Sequence, residues 1–390
     1  MLDKYSNPSR WGGGISILWR GNSFKNYVNS FQNNESKDIC SLPNTIYPFD
    51  SARNALFHYM KNIGIGEGDV VQVMHYTCDA VTDVLIDLGC KINFYDCNSN
   101  FEAVDFKLHA DCKLLISQIT FGGKAHTDSE LEEFSKNGVK VLLDKSLSYG
   151  PNDFKSELNT TYPTIISFEV SKSFTVGWAG LLILPQSSNF DQYYKSIKRV
   201  GIIRDIYRNI LLILNLYISP KGSKLKFFAW LFLRLVQFHR ASSSSSSKYS
   251  RIHSKLGLLT LRILLGSYKS ISKNLAIANK NHNEIANLLR SFSVKVNSKV
   301  CEDMSSPRVH FLLSNKIKDK FINHMNQNNI EVGTWFDSAP SGPTCQKLVH
   351  SENLFLESVN LPCHWSLTES EMCHMIAIIE NFFTENAITQ

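Results

Sequence analysis

The sequence lacks the features that mark a disulfide-bonded, zinc-binding or secreted protein. It has nine cysteines in 390 residues, an odd number, and no two of them have CxxC spacing. This pattern favours reduced, mostly buried thiols over disulfides or a metal site. The opening segment, MLDKYSNPSRWGGG, has no apolar stretch of the kind that begins a signal peptide. We therefore expect a cytoplasmic protein that holds no metal.

Basic runs and nucleotide-loop motifs are also missing. The net charge is only +6, and the first 190 residues contain no cluster of lysine and arginine of the kind that nucleic-acid-binding proteins use. The glycine run 12–14 is not followed by the GK[ST] of a phosphate-binding loop. Hydrophobic residues make up 43% and charged residues 19%, a globular balance, and the length allows two or more lobes.

From about residue 50, segments typical of strands and helices alternate. The strand segments are DVVQVMHYT, KINFYDC, KLLISQITFGG, KVLLDKS, TIISFEV and AGLLILP, and the helical segments are SARNALFHYMKNIGI, DAVTDVLIDLG and DSELEEFSKNG. Apolar strands that alternate with amphipathic helices indicate an α/β domain with a mostly parallel sheet, covered on both faces. Such domains bind ligands at the carboxyl ends of their strands.

The second half has a different pattern. Residues 254–290 predict one or two long helices, and the segments SVKVNSK, PRVHFLLS, KIKDKFINHMNQNN and IEVGTWF indicate a small α+β lobe. Thr368 with Glu371 three residues later is typical of a capping box at the start of a last helix. We therefore divide the chain into an N-terminal segment (1–47), a large α/β domain (48–190), an insert (191–250) and a C-terminal part (251–390).

The insert contains two apolar stretches, 201–218 and 227–238, which flank a basic segment and precede a serine run at 242–247. Each stretch carries arginine and is shorter than the roughly 20 residues that span a bilayer, so a spanning helix is not expected. The favoured interpretation is a helical pair buried against the protein or a partner subunit. The alternative is a peripheral membrane contact through 201–240, with lysines and arginine near anionic headgroups: Lys221, Lys224, Lys226 and Arg240.

The segment SFEVSKSFTVGWAG (167–180) places a lysine, Lys172, between two apolar strands. Most lysines after a strand are solvated, but one that is held among packed strands has a lowered pKa and can form a Schiff base. Pyridoxal phosphate is a carbonyl partner for such an amine. This cofactor also needs an acid at its pyridine nitrogen, a phosphate site and a surface for its ring.

The sequence offers a candidate for each need. Asp144 ends the strand KVLLD, although strand-end aspartates are often simple turn residues. The run SARNAL (51–56) opens a helix whose free N–H groups could bind phosphate, and Ser167 lies five residues before Lys172. Tyr76 and Cys78 follow a strand, where a side chain could cover the ring. His75 beside them is a weaker candidate for contact with substrate, since a lone histidine is more often structural.

These segments resemble the DegT/DnrJ sugar aminotransferases, which are fold-type I pyridoxal-phosphate enzymes. The resemblance covers roughly residues 48–382 apart from the insert. It rests on SARNALFHYMKNIGIGEGDVVQVMHYTCDAV, VKVLLDKSLSYG, SFEVSKSFTVGWAGLLIL, NNIEVGTWF and NLPCHWSLTESEM, in the family's order. It implies a mostly parallel, seven-stranded-type sheet with helices on both faces, a small C-terminal α+β domain and a homodimer with shared active sites.

The resemblance also implies roles for single residues. Lys172 would hold the cofactor covalently and move protons, and Asp144 would keep the pyridine nitrogen protonated. Ser167 would hold the phosphate together with the backbone of Arg53 and Asn54. Cys78 stands where many relatives have an aromatic residue over the ring, so Tyr76 is expected to assist. The implied reaction takes an amino group from glutamate or a similar donor to a nucleotide-linked keto-deoxysugar, for surface polysaccharide or a glycosylated product.

Three departures from the family pattern keep other interpretations open. Leu147 occupies a position where the family has Gln or His near the phenolic oxygen of the cofactor. Trp178-Ala179-Gly180 replaces the family's EGG. The asparagine that a partner subunit lends is absent, so Lys248, Tyr249 or Arg251 would serve instead. A non-catalytic member of the fold is therefore one alternative. The apolar insert motivates the other, a membrane-associated aminotransferase with a lipid-linked or other membrane-delivered acceptor. A sugar dehydratase fits less well, because Lys172 is present.

Overall fold

The computed structural model describes residues 45–150, 153, 160–169, 172, 174–185, 189–218, 254–268, 271–297, 306–336, 339–340 and 348–386. For residues 211–218 and 267–268 it describes the backbone alone. Most of the N-terminal segment, the basic segment and second apolar stretch of the insert, and the serine run lie outside these residues. So do three residues predicted near the site: Lys248, Tyr249 and Arg251.

The large sheet contains nine strands within the described residues, in the order β1-β9-β8-β7-β5-β2-β3-β4, with β6 paired to β5. The strands are β1 (Ile46–Phe49), β2 (Val70–Met74), β3 (Lys91–Cys97), β4 (Ala103–Val104), β5 (Cys112–Thr120), β6 (Gly123–Lys124), β7 (Lys140–Asp144), β8 (Thr164–Ser167) and β9 (Gly180–Ile183). Strands β8, β7, β5, β2 and β3 are mutually parallel, and β9 is antiparallel to both its neighbours. The mostly parallel sheet that the sequence predicts is confirmed.

Helices cover both faces of this sheet. The helices of the first half are α1 (Ala52–Asn62), α2 (Asp79–Asp87), α3 (Asp128–Lys136) and α4 (Phe190–Ser196). Alternate residues of β5 enter different apolar clusters: Leu114 and Ile116 pack with α1 and α2, whereas Leu115 packs with α3. This alternation follows from the two-residue period of a strand and buries the centre of β5 on both faces.

The segment 254–290 forms two helices, α6 (Leu258–Tyr268) and α7 (Ile271–Ser291), as one of the two sequence interpretations predicts. They pack on the β8–β9 side of the sheet through Leu261, Leu264 and Leu275. Before them runs α5 (Ile202–Ile218), in the insert. Asp205 of α5 accepts hydrogen bonds from the first turn of α6, at 2.8 Å from Leu259 N, and thereby caps that helix.

A second, smaller sheet has the antiparallel order β10-β11-β12 and its own apolar core. Its strands are β10 (Lys295–Val296), β11 (Arg308–Leu312) and β12 (Ser358–Pro362), and its helices are α8 (Asn315–Gln327), α9 (Val349–Glu357) and α10 (Glu369–Glu385). The capping box at the start of α10 is present, with both Thr368 and Glu371 bonded as predicted. The strand β12 and the helix α9 are additions that the sequence patterns did not indicate.

Candidate active site

The carboxyl ends of β7, β5 and β8 meet at one edge of the large sheet and carry Asp144, Gln118 and Ser167. Gln118 pairs with Asp144 in parallel register, and Asp144 pairs with Ile165 of β8. Because neighbouring residues in register face the same side of a sheet, the side chains of Gln118 and Asp144 project to one side. Asp144 Oδ1 accepts a hydrogen bond of 2.9 Å from Ser146 N, which fixes the turn after the strand.

Lys172 lies in the loop between β8 and β9, which is closed on itself. Lys172 N donates to Glu169 O at 3.1 Å, and Glu169 forms a bridge with Gly177. Tyr149 anchors the far side of this loop, since its hydroxyl donates to Phe174 O and accepts from Phe174 N, both at 2.9 Å. The loop that carries the lysine is therefore attached to the segment that follows Asp144.

The environment of Lys172 favours a neutral amine. The residue as a whole is half-buried, but its ammonium group is surrounded by protein atoms, and this desolvation lowers its pKa. Glu169, Cys78 and Asp144 oppose the change, and the positive charge of Arg308 adds to it. The net direction is a lowered pKa. A lysine with a lowered pKa is a better nucleophile toward a carbonyl group at neutral pH.

An aromatic ring from the small lobe lies over the lysine. Lys172 Nζ is 5.5 Å from the centroid of Trp335, and Arg308 Cζ of β11 is 3.4 Å from the same ring. The two distances place the cations no more than 8.9 Å apart. Arg308 is almost fully buried. The site is thus built by both lobes and contains a buried guanidinium.

The amino end of α1 reaches the same edge of the sheet. Gly180, which pairs with Ser167, lies so close to α1 that an added Cβ would be 2.2 Å from Ala52 N. Ser51 caps the helix, with Asn54 N donating to its hydroxyl at 3.2 Å. Arg53 pairs with Glu169 at 3.7 Å. This arrangement brings Ser167 and the first turn of α1 together, as the predicted phosphate site requires.

The remaining predicted residues lie on the neighbouring strand. Cys78 is the N-cap residue of α2 and half-buried, and burial raises the pKa of its thiol although Lys172 and Arg53 act to lower it. Tyr76 is fully buried, and its hydroxyl binds the Trp335 carbonyl and accepts from Phe336 N at 2.9 Å. The role of Tyr76 that these contacts define is to hold the Trp335 segment.

His75 and Leu147 are both buried. His75 lies between the rings of Phe94 and Phe355, and burial lowers its pKa. Leu147 belongs to the apolar cluster that also contains Tyr76. Gln118, Arg308 and Trp335 are site residues that the sequence patterns missed. A Gln near the carboxyl end of one strand and an Arg at the start of another were the available signals. Among the described residues, no cluster of His, Cys, Asp or Glu could hold a metal ion.

Solved structures that share this fold include aminotransferases. NtdA from Bacillus subtilis, with bound PMP, has a TM-score of 0.65 at 14% identity and covers 95% of this chain and 86% of its own. A DegT DnrJ EryC1 StrS aminotransferase from Brucella abortus has a TM-score of 0.60 at 16% identity, with coverage of 86% and 85%. DesV from S. venezuelae has a TM-score of 0.61 at 13% identity, with coverage of 98% and 95%. No curated protein sequence matches this chain.

The family model of the DegT/DnrJ/EryC1/StrS aminotransferases matches residues 47–380. The chain therefore belongs to this family of enzymes, whose cofactor is pyridoxal phosphate, and it has the fold-type I architecture. The family assignment and the cofactor predicted from the sequence are confirmed. The residues at the sheet edge fit the cofactor in their chemistry, because they combine a desolvated amine, a strand-end carboxylate and a close-packed helix amino end.

Proposed function

We propose that this enzyme moves an amino group from glutamate, or a similar amino acid, to a nucleotide-linked keto-deoxysugar for surface polysaccharide or a glycosylated product. The observation that carries the proposal is the desolvated amine of Lys172 beside the edge of the sheet where Asp144 ends its strand. A lysine with this environment is suited to covalent chemistry with a carbonyl group. This argument favours catalysis over the non-catalytic alternative.

The residues of the edge have complementary roles. Lys172 would hold the cofactor through its amine and would move a proton at the substrate Cα. Asp144 would keep the pyridine nitrogen protonated, and Ser167 with the first turn of α1 at Arg53 and Asn54 would bind the phosphate. Cys78 lies along the wall of the site. Bound pyridoxal phosphate supplies a ring that withdraws electrons from the substrate.

The buried guanidinium of Arg308 supports a donor that carries a carboxylate. Arg308 and Lys172 both lie against Trp335, and Arg308 is 2% exposed. A planar guanidinium binds a carboxylate through two parallel hydrogen bonds. The carboxylate of an α-amino acid is attached to the reacting carbon. A cation close to the lysine is therefore better placed to bind this carboxylate than to bind the diphosphate of a nucleotide-linked sugar, which is distant from the reacting carbon.

The absorption spectrum of the purified protein tests the donor half of this proposal. We expect wild-type protein with cofactor to show the long-wavelength band of the lysine linkage, and glutamate to bleach it. Lys172→Ala is expected to lose both the band and the linkage that borohydride traps. A wild type that shows no band after cofactor is added would favour the non-catalytic alternative.

The acceptor half needs a separate measurement. Glutamate is first added to bleach the visible band and is then removed from the protein. A nucleotide-linked keto-deoxysugar is added next, and the return of the band is followed. Return of the band together with an aminated sugar product, identified by mass spectrometry, supports the proposed acceptor. Return of the band with 2-oxoglutarate but with none of a panel of keto-sugars would contradict it.

We also propose that a second copy of the chain covers α5. Its outer face carries exposed apolar side chains at helical spacing: Ile202, Ile203, Ile206, Tyr207 and Ile210. Arg208 of the same helix binds Asp50 at 2.6 Å, next to the cap of α1, so a subunit seated there would adjoin the site. That copy would supply Tyr249 or Arg251 in place of the family's asparagine.

The membrane-associated alternative predicts a different occupant for the same face. None of the described helices is long and apolar enough to cross a bilayer. Ile206→Glu should convert a dimer to a monomer in light scattering and leave vesicle flotation unchanged. Flotation of wild-type protein with anionic vesicles, lost in Ile206→Glu while the mass in solution stays that of a monomer, would favour the membrane instead.

A further inference from the structure

Gln118 is a buried amide on the inner wall of the site. It lies on β5, opposite Asp144 in parallel register, and is 5% exposed. Its neighbour Ser117 faces the other side of the sheet, where Ser117 Oγ lies 3.1 Å from His126 Nδ1. The alternation of a strand therefore directs Gln118 to the side of Asp144.

One end of this amide is bonded and the other is not. Gln118 Nε2 donates to Thr77 Oγ1 at 2.7 Å, whereas Gln118 Oε1 has no hydrogen-bond partner among the described residues. A buried amide oxygen without a partner is costly, so such a group usually marks a place where something else binds. Thr77 directly precedes Cys78, whose thiol feels the charge of Lys172. The unsatisfied end is thus at the site.

Leu147 occupies the position where the family has Gln or His near the phenolic oxygen of the cofactor, and its side chain offers no hydrogen bond to that oxygen. Leu147 is apolar and 7% exposed. Pyridoxal phosphate carries a phenolic oxygen beside its reactive carbon, and this oxygen is an anion when the cofactor is linked to a lysine. A half-turn of the Gln118 amide lets Thr77 donate to its oxygen and directs its NH₂ group into the site.

We propose that the Gln118 amide donates a hydrogen bond to the phenolic oxygen of bound pyridoxal phosphate and so replaces the contact that Leu147 lacks. This rests on the proposed placement of the cofactor between Lys172 and Asp144. A donor at the phenolic oxygen disperses its negative charge. The proton of the lysine linkage is then held less tightly and leaves at a lower pH.

The test is a pH titration of the visible band, which reports this proton and needs no turnover. In Gln118→Leu we expect the midpoint to rise by about one to two pH units, the range expected for loss of a hydrogen bond to a charged group. The dissociation constant of the cofactor, measured by equilibrium dialysis, should rise about tenfold. The charges that act on Lys172 are the same in both proteins: Glu169, Cys78, Arg308 and Asp144.

Two further variants separate this role from packing. Gln72→Leu is the matched control, because Gln72 is equally buried but bonds Lys107 O and His109 N away from the site. It should leave the midpoint unchanged. Adding Leu147→Gln to Gln118→Leu should bring the midpoint back toward the wild-type value. If Gln118→Leu does not fold, Gln118→Glu keeps the size and should also raise the midpoint, because its carboxylate repels the phenolic anion.

The outcomes distinguish this inference from the proposed function. If Gln118→Leu binds the cofactor with wild-type affinity and its visible band titrates with the wild-type midpoint, only the inference is overturned. A buried water would then be the hydrogen-bond partner of the amide oxygen. A wild type that forms no lysine linkage would overturn the proposed function, and the inference with it. A midpoint that rises equally in Gln72→Leu would also overturn the inference, since the change would then reflect general loosening.

Discussion

Gly180 is the point at which the helix α1 and the sheet come closest. An added Cβ would lie 2.2 Å from Ala52 N and 2.4 Å from Ser51 C, both backbone atoms that no rotamer change can remove. Ordinary contact begins at 3.4 Å, so the first turn of α1 has to retreat by about 1.2 Å. The same turn, with Ser167 opposite Gly180, forms the proposed phosphate site.

Gly180→Ala is therefore expected to lower the free energy of unfolding by about 1–3 kcal/mol, the usual cost of overpacking. It should also weaken cofactor binding about tenfold or more, because the phosphate contacts move with α1. Urea unfolding of the apoprotein measures the first effect, and equilibrium dialysis of pyridoxal phosphate measures the second.

The matched control is Gly201→Ala, since nothing lies within 4 Å of a Cβ at Gly201. It should leave cofactor binding unchanged and alter stability by no more than about 1 kcal/mol. Equal stability and equal cofactor affinity in Gly180→Ala and Gly201→Ala would refute the close contact.

Three further predictions concern buried polar groups. Tyr149→Phe leaves Phe174 N and O without their partner and should lower the free energy of unfolding in urea by about 1–3 kcal/mol. The rate at which borohydride reduces the lysine linkage should change little. An unchanged urea midpoint would contradict the role of Tyr149 as an anchor. Lys172→Met should raise the free energy of unfolding of the apoprotein at neutral pH, because the folded state lowers the pKa of the amine. This gain in stability should shrink as the pH rises toward 10.5. A gain in stability that does not depend on pH would contradict the prediction. Burial lowers the pKa of His126 from 6.5 to about 4, so stability is lost as the pH falls through this window, and His126→Gln should flatten the slope of unfolding free energy against pH by up to one proton. An identical slope in wild type and variant would contradict that assignment.

Much of the large domain could be predicted from the sequence because its strands are short, apolar and separated by helices with clear caps. Lys172 and Asp144 were predicted as site residues for the same reason, since Asp144 ends a strand that the pattern defines and Lys172 follows another. The parallel direction of the central strands also follows from the alternation, because crossover helices connect parallel strands.

The parts that escaped prediction depend on contacts between distant segments. Trp335 comes to Lys172 from the small lobe, and Tyr76 holds it there through its hydroxyl. No local pattern reports a contact between residues that lie so far apart in the chain. Gln118 was missed because β5 also contains Ser117 and Thr120, so one more polar side chain in it carries no distinct signal.

The pairing of β1 with β9 has a consequence for how the protein is made. Ile46 pairs with Ile183, and the backbone of β1 also bonds the segment just before α6, from Leu256 N to Pro48 O. During synthesis on the ribosome, β1 therefore has no strand partner until the residues up to β9 have been made. Loop closure over such a separation is slow. The close contact of Gly180 with the first turn of α1, and with it the proposed phosphate site, therefore forms only after β9 has been made.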